Sequence, residues 1–225
     1  MQTFTTASPV PAAITLHGNG NIALRRAEAP LGTRRALHRG EELFAEGGPC
    51  SQFYKVVSGT MRTVKLLSDG RRQIDAFHLP GDVFGLESGA SHRFSAEAVD
   101  EVVVVAYRRN GFADFMLGDP RFGEQVMSSM MTSLDRAHEH AVLLGRKTAL
   151  EKMASFLLDL ARRLSRTDRV ELAMQRCDIA DHLGLTIETV SRTLTQMVKA
   201  GLIRLAEAGR TVILADKSAL QLLGS

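Results

Sequence analysis

Glu188, Ser191, Arg192 and Thr195 stand at i, i+3, i+4 and i+7. On a helix they line one face, while Val190, Leu194, Met197 and Val198 take the other. The chemistry of the polar face suits base edges in a DNA major groove. Arginine donates twice to guanine O6 and N7, glutamate accepts from cytosine N4, and serine reaches a base edge or a thymine methyl. On a helix that meets only water, Glu188 and Arg192 would instead pair one turn apart for about 0.3–0.5 kcal/mol.

The element that positions this face begins one helix earlier. Gly184 lacks a Cβ and permits a sharp turn at the end of a short helix, and Thr186 caps a second helix running to Gly201. Ile179, Ala180, Leu183, Leu185, Val190 and Leu194 supply the core that sets the angle of this helix-turn-helix. Residues 202–205 and 211–214 form a hairpin around Gly209 and Arg210, which adds a wing. Thr186, Thr189, Thr195 and Arg210 are the candidates for contact with the sugar–phosphate backbone.

Cys177 falls in the first turn of the first motif helix, beside Arg176. The helix dipole and the neighbouring cation both favour thiolate there, and thiolate invites oxidation. A sulfinate or sulfonate would put negative charge where DNA phosphate approaches. The alternative is a small, inert residue on the helix surface. Gln175 stands where Ser or Thr often caps such a helix, which leaves that first turn less well satisfied.

Upstream, Met127, Met130, Leu134, Ala137, Ala141 and Leu144 repeat at intervals of 3, 4, 3, 4 and 3. That is a coiled-coil seam and implies a second copy across a two-fold axis, or else packing on the chain's own barrel. Gly145-Arg146-Lys147 interrupts this helix, and Thr148 with Glu151 has capping-box spacing, so a new helix starts at Ala149. Its buried face is Leu150, Met153, Ala154, Leu157, Leu160, Ala161 and Leu164. Between residues 33 and 109, glycines separate short apolar segments at 53–57, 60–67, 73–78 and 101–107, the pattern of a compact antiparallel barrel or jelly roll.

The expected fold class is therefore α+β: an N-terminal antiparallel β-roll, a long dimerisation helix and a C-terminal winged helix-turn-helix. The divisions are a flexible arm over 1–24, the β-roll over 25–118, the dimerisation helix and hinge over 119–147, and the DNA-binding domain over 148–225. With 225 residues, 44% hydrophobic and 24% charged, the chain has room for two cores. Its longest apolar run, residues 102–107, is too short to span a bilayer, and the first 25 residues hold no signal-type core, so a cytoplasmic protein without a membrane partner is expected. Cys50 and Cys177 alone support neither a disulfide scaffold nor a cysteine-only metal site. Residues 146–225 carry 13 Lys+Arg against 9 Asp+Glu, whereas residues 1–145 carry 15 against 16. The basic surplus lies with the motif.

In this order, from about residue 30 to 223, the chain resembles the CRP/FNR family of bacterial transcription regulators. Leu183-Gly184-Leu185-Thr186-Ile187-Glu188-Thr189-Val190-Ser191-Arg192 is similar to the FNR and FixK branch. The resemblance implies a homodimer on double-stranded DNA, at a palindrome of the type TTGAT-N4-ATCAA, with Glu188, Ser191 and Arg192 reading bases. It implies that Arg176 contacts phosphate and that RNA polymerase is the partner in activation. Ile187 stands where the cyclic-AMP receptor branch carries arginine, which argues against that branch's operator.

No cofactor and no metal are expected. The N-terminal arm lacks the cysteines of iron–sulfur oxygen sensors. Gly85 and Glu87 stand where carbon-monoxide sensors place cysteine and histidine. Gly81-Asp82-Val83 and Arg93-Phe94-Ser95 match only in part the motifs that hold a cyclic nucleotide. Two rival readings are an effector-gated sensor with a ligand in the β-roll and a cupin-like metalloenzyme. The second needs converging histidines, whereas His38, His78 and His92 are scattered in sequence. His138 and His140 point to different faces of one helix, which suits solvent or dimer-surface positions and not a shared metal, and His78 and Cys50 read as structural.

Overall fold

Strand alternation builds the N-terminal half. In Val102–Arg108 the residues at 102, 104 and 106 are buried while those between are half exposed, so one side of the strand faces a core. A computed structural model of the protein describes residues 32–111, 120–166, 168–206 and 209–224; the expected arm over 1–24 lies outside them. The first eight strands are β1 (Thr33–Leu37), β2 (Glu42–Phe44), β3 (Gln52–Ser58), β4 (Met61–Leu66), β5 (Arg72–His78), β6 (Val83–Phe84), β7 (Ser95–Ala98) and β8 (Val102–Arg108). They form two four-stranded antiparallel sheets, ordered β1-β8-β3-β6 and β2-β7-β4-β5.

Inner residues of both sheets meet in one core that includes Leu37, Val56, Met61, Ala96 and Val104. At one end this core is filled with rings. Phe44 stacks on His92 with centroids 3.7 Å apart, and Phe84 stacks on Tyr54 at 5.6 Å and on His78 at 4.5 Å. Gly85 turns the chain beside them at φ 77°, where an added Cβ would come within 3.1 Å of the Tyr54 ring.

Helix α1 (Pro120–Arg146) runs for 27 residues, roughly 40 Å. Gly145 and Arg146 remain helical, so the joint is narrower than their composition suggests and consists of Lys147 and Thr148 alone. The expected capping box then opens α2 (Ala149–Arg163): the Thr148 N–H donates to Glu151 Oε2 at 2.7 Å, and the Glu151 N–H donates back to Thr148 Oγ1 at 3.4 Å. After it come β9 (Arg169–Glu171), α3 (Arg176–Leu183), α4 (Ile187–Lys199), β10 (Ile203–Ala206), β11 (Thr211–Leu214) and α5 (Lys217–Gly224). The wing sheet has three strands, ordered β10-β11-β9, one more than the hairpin alone.

The expected inner face of α2 is buried at Met153, Ala154, Leu157, Leu160 and Ala161, with Leu150 and Leu164 packed at its edge. These residues share one core with Ile179, Leu183, Val190, Leu194 and Val212. That core does not stop at the joint, because it takes in Val64, Ile74, Phe77 and Leu79 of the β-roll. The motif therefore rests directly on β4 and β5. Two expectations need correction: Val198, placed on the inward face, is 39% exposed, and His140 stacks on His182 at 4.2 Å instead of facing solvent.

Candidate nucleic-acid interface

The turn between α3 and α4 is made by the residues expected to make it. Gly184 sits in the left-handed region at φ 61° and ψ 43°, and the Leu185 N–H donates to Ala180 O at 3.0 Å. Thr186 is extended and its Oγ1 accepts from the Thr189 N–H at 3.2 Å, which satisfies one free donor at the start of α4. The Thr186 and Thr189 hydroxyls are themselves hydrogen-bonded at 3.0 Å. Both threonines are thus capping groups first, with their outer surfaces left for a partner.

Val190, Thr193, Leu194 and Met197 bury the inner face of α4, and Glu188, Arg192 and Thr195 are exposed on the outer one. Ser191 is half-buried, and Thr195 Oγ1 donates to its carbonyl at 3.0 Å. Glu188 and Arg192 form no ion pair among the described residues, despite favourable spacing. The Glu188 carboxyl is held below the usual range by its own backbone N–H, then by the Thr186 hydroxyl, with Arg192 adding attraction. At neutral pH the outer face therefore presents an ionised acceptor and an uncommitted guanidinium.

Arg176 joins this face. Its Nη1 donates to Ser191 Oγ at 3.3 Å, and a Cβ added to Gly209 in the wing would lie 3.2 Å from its Nη2. One exposed cation thus stands between α4 and the wing, and Arg210 is exposed beside it. Residues 207 and 208 of the wing loop lie outside the described residues.

Cys177 is half-buried in the first turn of α3, as expected, but the cation expected at its side has gone to Ser191. The thiol instead donates to Gln175 Oε1 at 3.5 Å and towards Asp178 Oδ1 at 3.9 Å. Gln175 makes no side-chain cap bond, as expected, and the carboxylate of Asp178 compensates in part by accepting from the Gln175 N–H through Oδ2 at 3.1 Å. Asp178 was not singled out from sequence. Its place three residues after the cap, as in a capping box, is the local signal that marks it.

Along α1 the seam is open. Met127 is 46% exposed, Leu134 is 52% exposed, and Met130, Ala137 and Ala141 are exposed with them. Leu144 differs: it is half-buried and packs within its own chain against the motif core, with its Cδ2 beside Gly184. In the β-roll, Asp82 of the partly nucleotide-like turn and Glu87 at the carbon-monoxide-sensor position are both engaged in the fold. Asp82 accepts from the Leu79 N–H, from Arg136 and from Arg163 at 2.7–2.9 Å. Glu87 is bound to His92 Nδ1 at 3.0 Å and to the Arg93 N–H at 2.7 Å. Among the described residues no three His, Cys, Asp or Glu side chains gather as metal ligands, and no helix is long and apolar enough to cross a membrane.

Residues 151–223 match the family model of the Crp-like helix-turn-helix domain, and residues 34–119 match that of the cyclic nucleotide-binding domain. The chain is 50% identical over 202 residues to the nitrogen fixation regulation protein FixK of Azorhizobium caulinodans, covering 88% of this chain and 81% of that one. It is 40% identical over 184 residues to the FixK of Rhizobium meliloti, covering 82% and 83%. Among solved structures it is similar to FixK2 from Bradyrhizobium japonicum, with a TM-score of 0.79, 43% identity and coverage of 86% of this chain and 98% of that one. By sequence, by the order of its two domain types and by its helix-turn-helix, the chain belongs to the CRP/FNR family as a FixK-type transcription regulator, and is not an enzyme.

Proposed function

We propose that the protein activates transcription as a homodimer bound to a TTGAT-N4-ATCAA-like palindrome, with one α4 in the major groove of each half-site. The observation that carries this reading is the outer face of α4, where Glu188, Ser191 and Arg192 stand over a fully buried inner face. In this reading they specify bases, while Arg176, Thr186, Thr189, Thr195 and Arg210 meet the backbone. The open seam from Met127 to Ala141 takes the second copy, which makes the reader two-fold like its site. The β-roll over 25–118 works without nucleotide, haem or cluster, consistent with its ring-filled interior. Residues 148–225 form the reading domain, the chain acts in the cytoplasm, and RNA polymerase is its partner there.

Cys177 is the proposed point of redox control. Its half-buried sulfur lies in the first turn of α3, the turn from which Arg176 reaches over to the reading face, so oxidation to a sulfinate or sulfonate adds negative charge at the end of the helix nearest that face. Selection of binding sites from random DNA by the reduced chain, repeated after peroxide, tests both statements. The expected result is a TTGA-type palindrome without added ligand, with binding lost after oxidation in the wild type and retained in Cys177→Ser. Selection of no sequence, or an absolute need for a small molecule, overturns the first statement. Equal loss in both chains overturns the second.

A further inference from the structure

α3 is eight residues long, too short to hold its own position, and its N-terminal end is gripped from the β-roll. Arg62 of β4 donates through Nη1 to Asp178 Oδ1 at 2.7 Å, and Arg72 of β5 donates through Nη2 to the same oxygen at 2.7 Å. Arg72 Nε also donates to Asp181 Oδ2 at 2.8 Å. The other Asp178 oxygen caps α3 through the Gln175 N–H, so one carboxylate both starts the helix and ties it to two strands. Arg62 is fixed in turn, because its Nε donates to Glu97 on β7 at 3.0 Å. At the far end of α3, Gln73 Nε2 donates to His182 O at 3.4 Å, and buried Lys152 donates to Leu183 O at 3.0 Å.

We propose that Arg62 and Arg72 are positioning residues for DNA reading: acting through Asp178 and Asp181, they fix the angle at which α3 presents α4, so that the dimer reads its site without a bound ligand. This rests on the function proposed above and extends it to how the β-roll serves the reader. Buried ion pairs of this kind add little net stability compared with apolar packing, but they tolerate few geometries. That geometry matters here, because a two-fold reader must hold its recognition helices about 34 Å apart to enter successive major grooves. The grip leaves the reading face free, since Glu188, Arg192 and Thr195 stay exposed while it is formed.

The half-exposed pair Arg72–Asp181 gives the cleanest test in the full-length chain, because reversal of its charges is better tolerated than at buried Asp178. Affinity for the selected operator and for unrelated DNA is measured for Arg72→Asp, Asp181→Arg and the double exchange. In parallel, spin labels at exposed residue 196 report the distance between the two α4 helices. Each single variant is expected to lose about tenfold in operator affinity and to broaden the distance distribution, with unrelated DNA little affected; the double exchange recovers part of both, because it rebuilds the 72–181 pair but not the bond from Arg72 to Asp178. Folded single variants that bind as the wild type or more tightly overturn the proposal, as does a double exchange that restores neither property. Where a reversal prevents folding, Arg72→Lys replaces it, with a smaller loss and broadening expected and unchanged behaviour overturning the proposal. Failure of the wild type to bind any selected DNA would instead sink the proposed function.

Discussion

The two helices of the motif use the same charged residue types to opposite ends. On α3, Asp178 and Asp181 are matched by Arg62 and Arg72 at 2.7–2.8 Å, Asp178 withdrawn from water and Asp181 half-buried. On α4, Glu188 and Arg192 stand one turn apart with favourable spacing and form no ion pair among the described residues, and both are exposed. Charges that are satisfied within the chain fix where the motif sits. Charges left without an ionic partner are free for DNA, Arg192 as a donor to a guanine edge and Glu188 as an acceptor from a base amino group. A helix-turn-helix needs both, because sequence discrimination requires uncommitted side chains and a fixed frame at once.

The sharpest way to break this contrast is Asp178→Ala. It leaves two guanidinium groups facing each other and a helix start uncapped, and should lower the free energy of unfolding by about 3–5 kcal/mol in urea titration. A cost below about 1 kcal/mol would place Asp178 with the surface charges. Acid probes the same junction. Burial first, and then neighbouring His140, pushes the His182 pKa down from 6.5 to about 3. The folded chain then binds fewer protons than the unfolded chain between those values. The contribution is complete above pH 6.5 and is lost as pH falls towards 3, about 5 kcal/mol in all. Urea midpoints across that range should depend less steeply on pH in His182→Gln, and an unchanged slope would remove His182 from the account.

Leu134→Glu asks whether the seam supports the open face of α4. Sedimentation should show a monomer, and operator affinity should fall about 100-fold or more as the second half-site stops assisting the first. A dimer of full affinity would free the seam for another role. The smallest effect is at α4 itself. Arg192→Ala should cost roughly 1–3 kcal/mol at the specific site and flatten preference at the guanine, while thermal stability stays within about 0.5 kcal/mol of the wild type. Loss of stability without loss of base preference would reverse the contrast between the two helices.

What was legible in the sequence was what local spacing encodes. Gly184 followed by Thr186 marks the turn, Thr148 with Glu151 marks the start of α2, and the seam of α1 stands open over five of its six positions. Leu144 departs because the turn of α1 nearest the joint lies on the motif core. What was not legible arises from pairs distant in sequence. Arg62 and Asp178 are 116 residues apart, and nothing near either residue announces the other. His140 stacks on His182, which lies edge-on to Phe77, so a ring expected at solvent or the dimer surface is part of the junction. β9 has three residues, too few for alternation to register, and exists because β11 offers it a free edge. Arg176 was misplaced for a related reason: adjacency in sequence put it beside Cys177, whereas its long side chain reaches across to Ser191 and the wing.

The rings inside the β-roll have a consequence for design. Phe84 touches Tyr54, His78 and Phe44 at once, so Phe84→Ala would vacate a hole of ring size lined by three other rings, whose polar atoms, the Tyr54 hydroxyl and His78 Nε2, are bonded to Gln52 and Thr63. Engineered holes of that kind stay dry and take up small aromatic guests. The scaffold thereby carries a dormant receptor, one truncation away from answering to a molecule of the experimenter's choosing.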